Sequence, residues 1–200
     1  MRKVTEGVTE ALLRSAKKEF LIYGYKDASM RRISSASGVS TNSIYTRFRD
    51  KAALFEAVVQ EAADGLMDIY LKSMSNAKER IDIQDAIHEG VDGTDLVLKY
   101  IFENKESFKL LFGACEGTKY ENYYDELSDI EESYYLLFAK KYMKKESKVD
   151  PFFIHVHCRM GWQYIYEILS HDLSYEQAKE FMESVCAFNY AGWKVVLGIE

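Results

Sequence analysis

Asn42, Ser43 and Thr46 are the side chains of this chain best placed by type and spacing to read a hydrogen-bonding surface. They lie in the stretch TNSIYTRF, where Ile44 and Phe48 are four residues apart and therefore share one side of a helix. With those two turned inward, steps of about 100° per residue leave Asn42, Ser43 and Thr46 outward, with Thr41 in the first turn and Tyr45 and Arg47 on the two flanks. An Asn amide can pair bidentately with adenine. Ser and Thr hydroxyls are versatile partners, and the Thr46 methyl can meet a thymine methyl. Flanking residues of such a helix meet phosphates instead. A surface hairpin with a polar face would look similar, so this stretch does not decide the matter by itself.

The elements that must position these side chains span residues 29 to 51. In the first helical pattern Met30 and Ile33 are three apart and Ala36 follows at the next return. Gly38, in the turn Ser37-Gly38-Val39, supplies the left-handed backbone that ends this helix, and Ser40 caps the next. That is the layout of a helix-turn-helix, whose second helix enters the DNA major groove.

The wider stretch LLRSAKKEFLIYGYKDASMRRISSASGVSTNSIYTRFRDKAALFEAVV resembles the TetR family of bacterial transcription regulators. The most specific parts are Phe20, Gly24-Tyr25, Ser29-Met30, Ile33, Gly38-Val39-Ser40, Ile44-Tyr45, Phe48, Lys51 and Leu54-Phe55. The resemblance implies phosphate contacts from Tyr45 and Lys51, and extends that set to Ser29 and Arg31. Ala28 stands where the family usually has threonine, which puts one phosphate contact in question. Ser34 and Ser37 stand where it usually has alanine, yet remain small enough for close packing. The expected DNA-contacting set is Ser29, Arg31, Thr41, Asn42, Ser43, Tyr45, Thr46, Arg47 and Lys51.

The formal charge of −6 over 200 residues looks wrong for a nucleic-acid binder until it is divided. Residues 1–60 carry eleven Lys or Arg against six Asp or Glu (11 − 6 = +5), and residues 61–200 carry fifteen against twenty-six (15 − 26 = −11). Screening confines each charge to about 10 Å at ordinary salt, so a basic head on an acidic body can still bind a duplex. One Pro and eleven Gly favour long helices over strands. No apolar run approaches the ~20 residues needed to span a bilayer, and the N-terminus lacks a signal peptide's apolar core. Three scattered cysteines, Cys115, Cys158 and Cys186, argue against a disulfide framework and fit a reducing cytoplasm. The expectation is a cytoplasmic, all-α protein of about nine helices with no membrane association. A helix-turn-helix domain over 6–66 joins a helical effector-binding and dimerisation domain over 67–200.

Helix one is expected over Glu6–Tyr23 with Val8, Leu12, Ala16 and Phe20 as its core stripe. After an Asp50 cap, the fourth helix carries Leu54, Val58 and Ala62 inward and runs to about Met74. A polar connection follows over 75–82, then a helix from Ile83 whose stripe is Ile87, Val91, Leu98 and Phe102. A short helix spans Ser107–Cys115 and another Tyr123–Lys145, with Leu127, Ile130, Tyr134, Leu137 and Phe138 inward. Asp150-Pro151 is an N-cap followed by proline at the first helical position, and Ser174 with Gln177 fits a capping box.

Over Pro151–Ser170, His155, Arg159, Gln163 and Glu167 form one polar stripe in an otherwise apolar helix. Over the final helix Ala178, Phe181, Val185, Phe188, Gly192 and Val195 follow heptad spacing, with small residues permitting close approach. These six are the expected homodimer interface, in which the last two helices pair with their copies. Such a dimer places two recognition helices about 34–36 Å apart on a palindromic operator. In the family resembled, a small molecule bound in the body changes that separation and releases the DNA. Aromatics Phe108, Phe112, Tyr134, Phe138, Phe153, Trp162 and Tyr164, with His157, are the expected ligand-binding residues. Taken one at a time, core packing explains each of them better than a pocket does. The effector expected is aromatic or apolar, with a cationic one held by cation–π contact as the alternative.

No CxxC or HExxH spacing exists, and His155, His157 and Cys158 do not share a helical side, so no metal and no cofactor are expected. No nucleophile–base pair has a local signature, so the chain is not expected to be an enzyme. The functional expectation is a transcriptional repressor released by a small-molecule effector. The alternative is a constitutive DNA-binding dimer whose body recruits a protein partner, which a body lacking a cavity of a few hundred Å³ would favour.

Overall fold

The computed structural model describes residues 2–79, 83–144 and 147–198, and within them the chain forms nine helices. They are α1 (Arg2–Asp27), α2 (Met30–Ser37), α3 (Thr41–Phe48), α4 (Lys51–Glu79), α5 (Ile83–Glu103), α6 (Lys105–Gly113), α7 (Tyr123–Tyr142), α8 (Pro151–Ser170) and α9 (Tyr175–Leu197). Two compact units divide them. The first comprises residues 1–64 and 104–123, the second 65–103 and 124–200. The division differs from a simple split near residue 66, because α6 and the turns after it belong with the N-terminal helices.

In the first unit α1 packs on α2 and on α6. Leu12, Ala16 and Phe20 of α1 are fully buried, whereas Val8 is half-exposed. The helix breaks at Gly24 (φ 70°, ψ 172°), and the Tyr25 amide then donates to the Ala114 carbonyl at 3.1 Å. Phe108, Leu110 and Leu111 of α6 are buried, and Lys17 donates to Ser107 Oγ at 3.0 Å. The Tyr123 hydroxyl donates to the Ala63 carbonyl at 2.9 Å. Contacts separated by about 90 residues leave no periodic signal, so spacing alone does not group 104–123 with the N-terminal helices.

In the second unit α4 extends five residues beyond the expected Met74. Gly93 lets α5 approach it closely, since a Cβ there would meet Ser73 Oγ at 1.9 Å. Leu98 is buried and Phe102 partly so, while the side chains expected to continue that stripe at Ile83, Ile87 and Val91 lie outside the described residues. On α7, Leu127 and Phe138 are buried as expected, but Leu137 is exposed, because the inward face passes through Tyr134, Tyr135, Phe138 and Ala139 instead. Phe138 and Ala139 share a core with Ile154, Cys158, Trp193 and Leu197. Asp150 caps α8 through the Phe152 amide, and the Ser174–Gln177 capping box is complete.

The polar stripe of α8 is turned toward α7. Arg159 meets Asp129 at 2.9 Å, Glu132 at 3.5 Å and Asp125 at 3.8 Å, and His155 Nδ1 lies 2.8 Å from Glu132. This ladder fixes the pairing of α7 with α8 through groups the sequence alone would have left to solvent.

Candidate nucleic-acid interface and body cavity

The recognition hairpin is held by its caps and by one deeply buried residue. Ser29 Oγ accepts from the Arg32 amide, Ser40 Oγ accepts from the Ser43 amide, and Gly38 is left-handed at φ 69°. Ile44 is fully buried and Phe48 half-buried, which turns the polar side of α3 outward. Ala36 is exposed rather than inward. The α2 register returns at Ser37, four residues after buried Ile33, and Ser37 is the half-buried one.

Asn42, Thr46 and Arg47 are exposed, and Tyr45 presents nearly half its surface. The Thr46 hydroxyl donates to the Asn42 carbonyl at 2.9 Å, which leaves its methyl and lone pairs to a partner. Ser43 is half-buried, with its hydroxyl 2.8 Å from that of Ser40, so it serves the helix cap more than the outer face. Thr41 is half-buried at the helix start and Arg31 is exposed on α2. Arg47 donates to Thr9 Oγ1 at 2.7 Å, linking α3 to α1. Tyr45, Thr46, Arg47 and Arg49 line one shallow concavity.

Lys51 has a structural setting that its expected phosphate role did not suggest. Its ammonium donates to the carbonyls of Lys26 at 2.9 Å and Ala28 at 3.2 Å, and lies 4.7 Å from the Tyr25 ring centre. It thereby closes the C-terminal carbonyls of α1. Ser29 is likewise occupied, its amide donating to Glu19 Oε1 at 2.8 Å. Glu19, which sequence reasoning missed, is buried, and its carboxylate also accepts from Arg32 Nε at 2.7 Å. Arg32 in turn lies 4.1 Å from the Tyr23 ring centre. A buried acid on α1 therefore orients the start of α2. Its only sequence trace is that position 19 sits beside the Leu12–Ala16–Phe20 stripe.

The second unit encloses a cavity of about 200 Å³. Its walls come from α4 (Tyr70, Ser73, Met74), α5 (Gly93, Thr94, Val97), α7 (Glu131, Tyr134, Tyr135, Phe138), α8 (Gly161, Trp162, Tyr164, Ile165) and α9, where Met182, Val185, Cys186, Asn189, Tyr190, Trp193, Lys194 and Leu197 contribute. Of the expected ligand-binding residues, Tyr134, Phe138, Trp162 and Tyr164 line it. Phe108 and Phe112 do not, since both belong to the first unit. Phe153 is on the surface, stacked against His157 at 5.7 Å. His157 is absent from the lining and packs edge-on to Tyr135 and Trp193, and burial pushes its pKa down. The wheel placed it on the apolar arc correctly, but that arc has an outer as well as an inner flank.

Glu131 is the lining residue the sequence reading passed over as a solvated acid. It shares a helical face with Tyr134, Tyr135 and Phe138, a register that could have found it. Its carboxylate lies against α8 at Gly161, where a Cβ would come to 3.5 Å of Oε2. Burial pushes its pKa up to about 8, against partial compensation from Tyr70 and Trp162. The folded chain therefore keeps a proton that an unfolded one, titrating near 4.5, releases. Stability from this group is lost as pH rises between those values. Expected outcome: on going from pH 5 to pH 8 the unfolding temperature of the wild type falls more than that of Glu131→Gln. Parallel melting curves across that range would remove Glu131 as the cause.

The expected dimer face is split. Ala178 is fully buried and Val185 lines the cavity, so neither belongs to it, because those two heptad positions turn toward the unit's own core. Phe181, Phe188, Gly192 and Val195 are exposed, as are Phe152, Phe153, Val156 and Met160 on α8.

Among the described residues no helix is long and apolar enough to cross a membrane, and no cluster of His, Cys, Asp and Glu could hold a metal. Fold and site together define an all-helical protein with an N-terminal helix-turn-helix. Residues 12–58 match the family described as bacterial regulatory proteins, tetR family. Over 65 residues the chain is 42% identical to the HTH-type transcriptional repressor Rv1474c of Mycobacterium tuberculosis, an alignment spanning 30% of this chain and only 35% of that relative. A solved structure from Mesorhizobium loti assigned to the tetR family superposes with a TM-score of 0.58 at 15% identity, covering 93% of this chain and 96% of the other. NalD of Pseudomonas aeruginosa, the secondary repressor of the MexAB-OprM multidrug efflux pump, superposes with a TM-score of 0.58 at 18% identity, covering 90% and 96%. Residues 12–58 thus form an N-terminal domain of the tetR type.

Proposed function

We propose that the chain is a sequence-specific, DNA-binding transcriptional repressor. It acts in the cytoplasm as a homodimer on a palindromic operator, and a small aromatic or apolar effector in the second-unit cavity releases it. The observation that carries this reading is the outward set Asn42, Tyr45, Thr46 and Arg47 on a helix anchored by buried Ile44. Asn42 and Thr46 read base edges, while Tyr45, Arg47 and Arg31 meet phosphates. α4 runs unbroken from Lys51, next to the hairpin, to Tyr70 and Met74 in the cavity wall. An effector that favours one placement of that helix changes DNA affinity by its preference for the non-binding state.

Selection of bound duplexes from a random pool tests the reading, and a two-fold symmetric consensus is the expected result. Asn42→Ala is expected to relax preference at one base position in each half-site and cost about 1–3 kcal/mol on the cognate site. Lys51→Ala is expected to weaken all duplexes alike, through loss of its hold on the α1 carbonyls as well as of positive charge. Identical sequence profiles for the two variants would refute the division into base readers and positioning residues.

The second reading, a constitutive dimer that recruits a protein, draws support from two observations. The cavity is smaller than the range of about 300–1,000 Å³ typical of drug-sized ligands. Leu136 and Leu137 stand exposed on α7. Operator complexes that no small molecule dissociates would favour it.

A further inference from the structure

Glu131 is a partly buried carboxylate that has no counterion among the described residues. From α4 it meets Tyr70, from α7 Tyr135, and from α8 Cys158 and Trp162, none of them a cation. Among the described residues the cavity lining has one cation, Lys194 on α9, which is half-exposed and rests 5.7 Å from the Tyr190 ring centre. A carboxylate at such a place costs stability that glutamine or leucine would not. Around it the walls are π faces: Trp162 is edge-on to Tyr70 at 5.1 Å, and Trp193 is stacked on Tyr135 at 5.0 Å. Asn189 Oδ1, an acceptor, and Trp193 Nε1, a donor, are both buried with no hydrogen-bond partner among the described residues, and both belong to lining residues. Acceptors and electron-rich rings without a donor cation make a field that attracts positive charge.

We infer that the cavity takes a small lipophilic cation, one ring or compact hydrocarbon body bearing a single ammonium, with Glu131 as its counterion and the Tyr and Trp faces around the charge. This rests on the effector reading above and names the ligand's class. The volume sets the least size: about 200 Å³ exceeds the roughly 150 Å³ that holds benzene, so one ring and its ammonium fit. In the empty protein the carboxyl is protonated at neutral pH, so a cation binds by displacing that proton. Burial moves Tyr70, Tyr135 and Cys158 upward, and they stay neutral where Glu131 titrates.

The chain has two tryptophans, and both line the cavity, so intrinsic fluorescence reports occupancy. The test titrates full-length protein with phenyltrimethylammonium, whose charge is permanent, and with tert-butylbenzene, its neutral shape match. Expected at pH 9 is quenching by both, with the cation bound at least tenfold more tightly. Its affinity should fall about tenfold on lowering the pH to 7, while that of tert-butylbenzene stays constant. Glu131→Gln, isosteric with the protonated acid, should abolish the cation's advantage and its pH dependence while leaving tert-butylbenzene binding unchanged. Equal affinity for the two probes, or a cation that binds Glu131→Gln undiminished, overturns the inference and leaves the effector cavity standing. If neither probe perturbs the fluorescence at millimolar concentration, the inference and the effector reading fall together.

Discussion

Replacing Phe188 with glutamate is expected to split the proposed homodimer and to weaken operator binding by two orders of magnitude or more. Phe188 is 73% exposed and Val195, one heptad later on the same helix, is 82% exposed. Phe181 and Gly192 continue the same outward side of α9, and α8 adds Phe152, Phe153, Val156 and Met160. A chain that left this much apolar surface in water would be an exception among monomers. Burying one phenylalanine contributes about 1.5–3 kcal/mol, and a two-fold interface presents it twice. Loss of both, with two carboxylates desolvated in their place, exceeds about 4 kcal/mol, or roughly a thousandfold in dimerisation constant. A monomer holds one half-site and forfeits the effective concentration that links the second, hence the loss on DNA. Sedimentation equilibrium at micromolar protein reads the first effect and binding to a full operator the second. Because Phe188 touches little of its own subunit, the monomer should keep its helical circular dichroism. A variant that remains dimeric would place the interface elsewhere.

The second large effect is expected from Phe55→Ala. Phe55 is fully buried on α4 and sits edge-on to Phe20 at 5.0 Å and to Tyr25 at 5.4 Å, with Tyr120 at 6.5 Å. Truncation removes the ring from a cluster that joins α1, α4 and the turns after α6, at a cost of about 3–5 kcal/mol. For a unit of this size that lowers the melting temperature by on the order of 10–40 °C. DNA binding should fail with it, since the same cluster seats the helices that hold the hairpin. Both tryptophans lie in the second unit, so their fluorescence follows that unit while circular dichroism follows both. The expected signature is an early loss of ellipticity ahead of the fluorescence change. A melting curve shifted by less than about 2 °C would deny Phe55 its central place.

Local chemistry made the hairpin legible. Ser29, Gly38 and Ser40 cap or turn helices through bonds to residues within three or four positions, and Ile44 fixes which side of α3 faces water. Such rules need no knowledge of the rest of the fold, which is why Asn42 and Thr46 could be named as outward from spacing with Tyr45 and Arg47 on the flanks, although Ser43, expected outward too, is half-buried. The same holds for the Asp150 and Ser174 caps. Where a side chain had two plausible flanks, spacing was not enough. Ala36 went outward, and Lys51, expected at phosphate, found the carbonyls of Lys26 and Ala28.

The sequence by itself determined the helices, their caps and the polar face that α3 turns to solvent, because each follows from periodicity and from bonds reaching less than one turn. Tertiary structure decided which apolar residues line a cavity and which only fill the core. It sent Phe108 and Phe112 to the first unit, turned Ala178 and Val185 inward, and enclosed Glu131 among Tyr70, Tyr135 and Trp162. Those outcomes depend on partners 60 to 90 residues distant, such as Ala63 for Tyr123 and Ser107 for Lys17. A helical wheel records the direction of a side chain but not what stands opposite it, and burial, pKa and pocket all depend on what stands opposite.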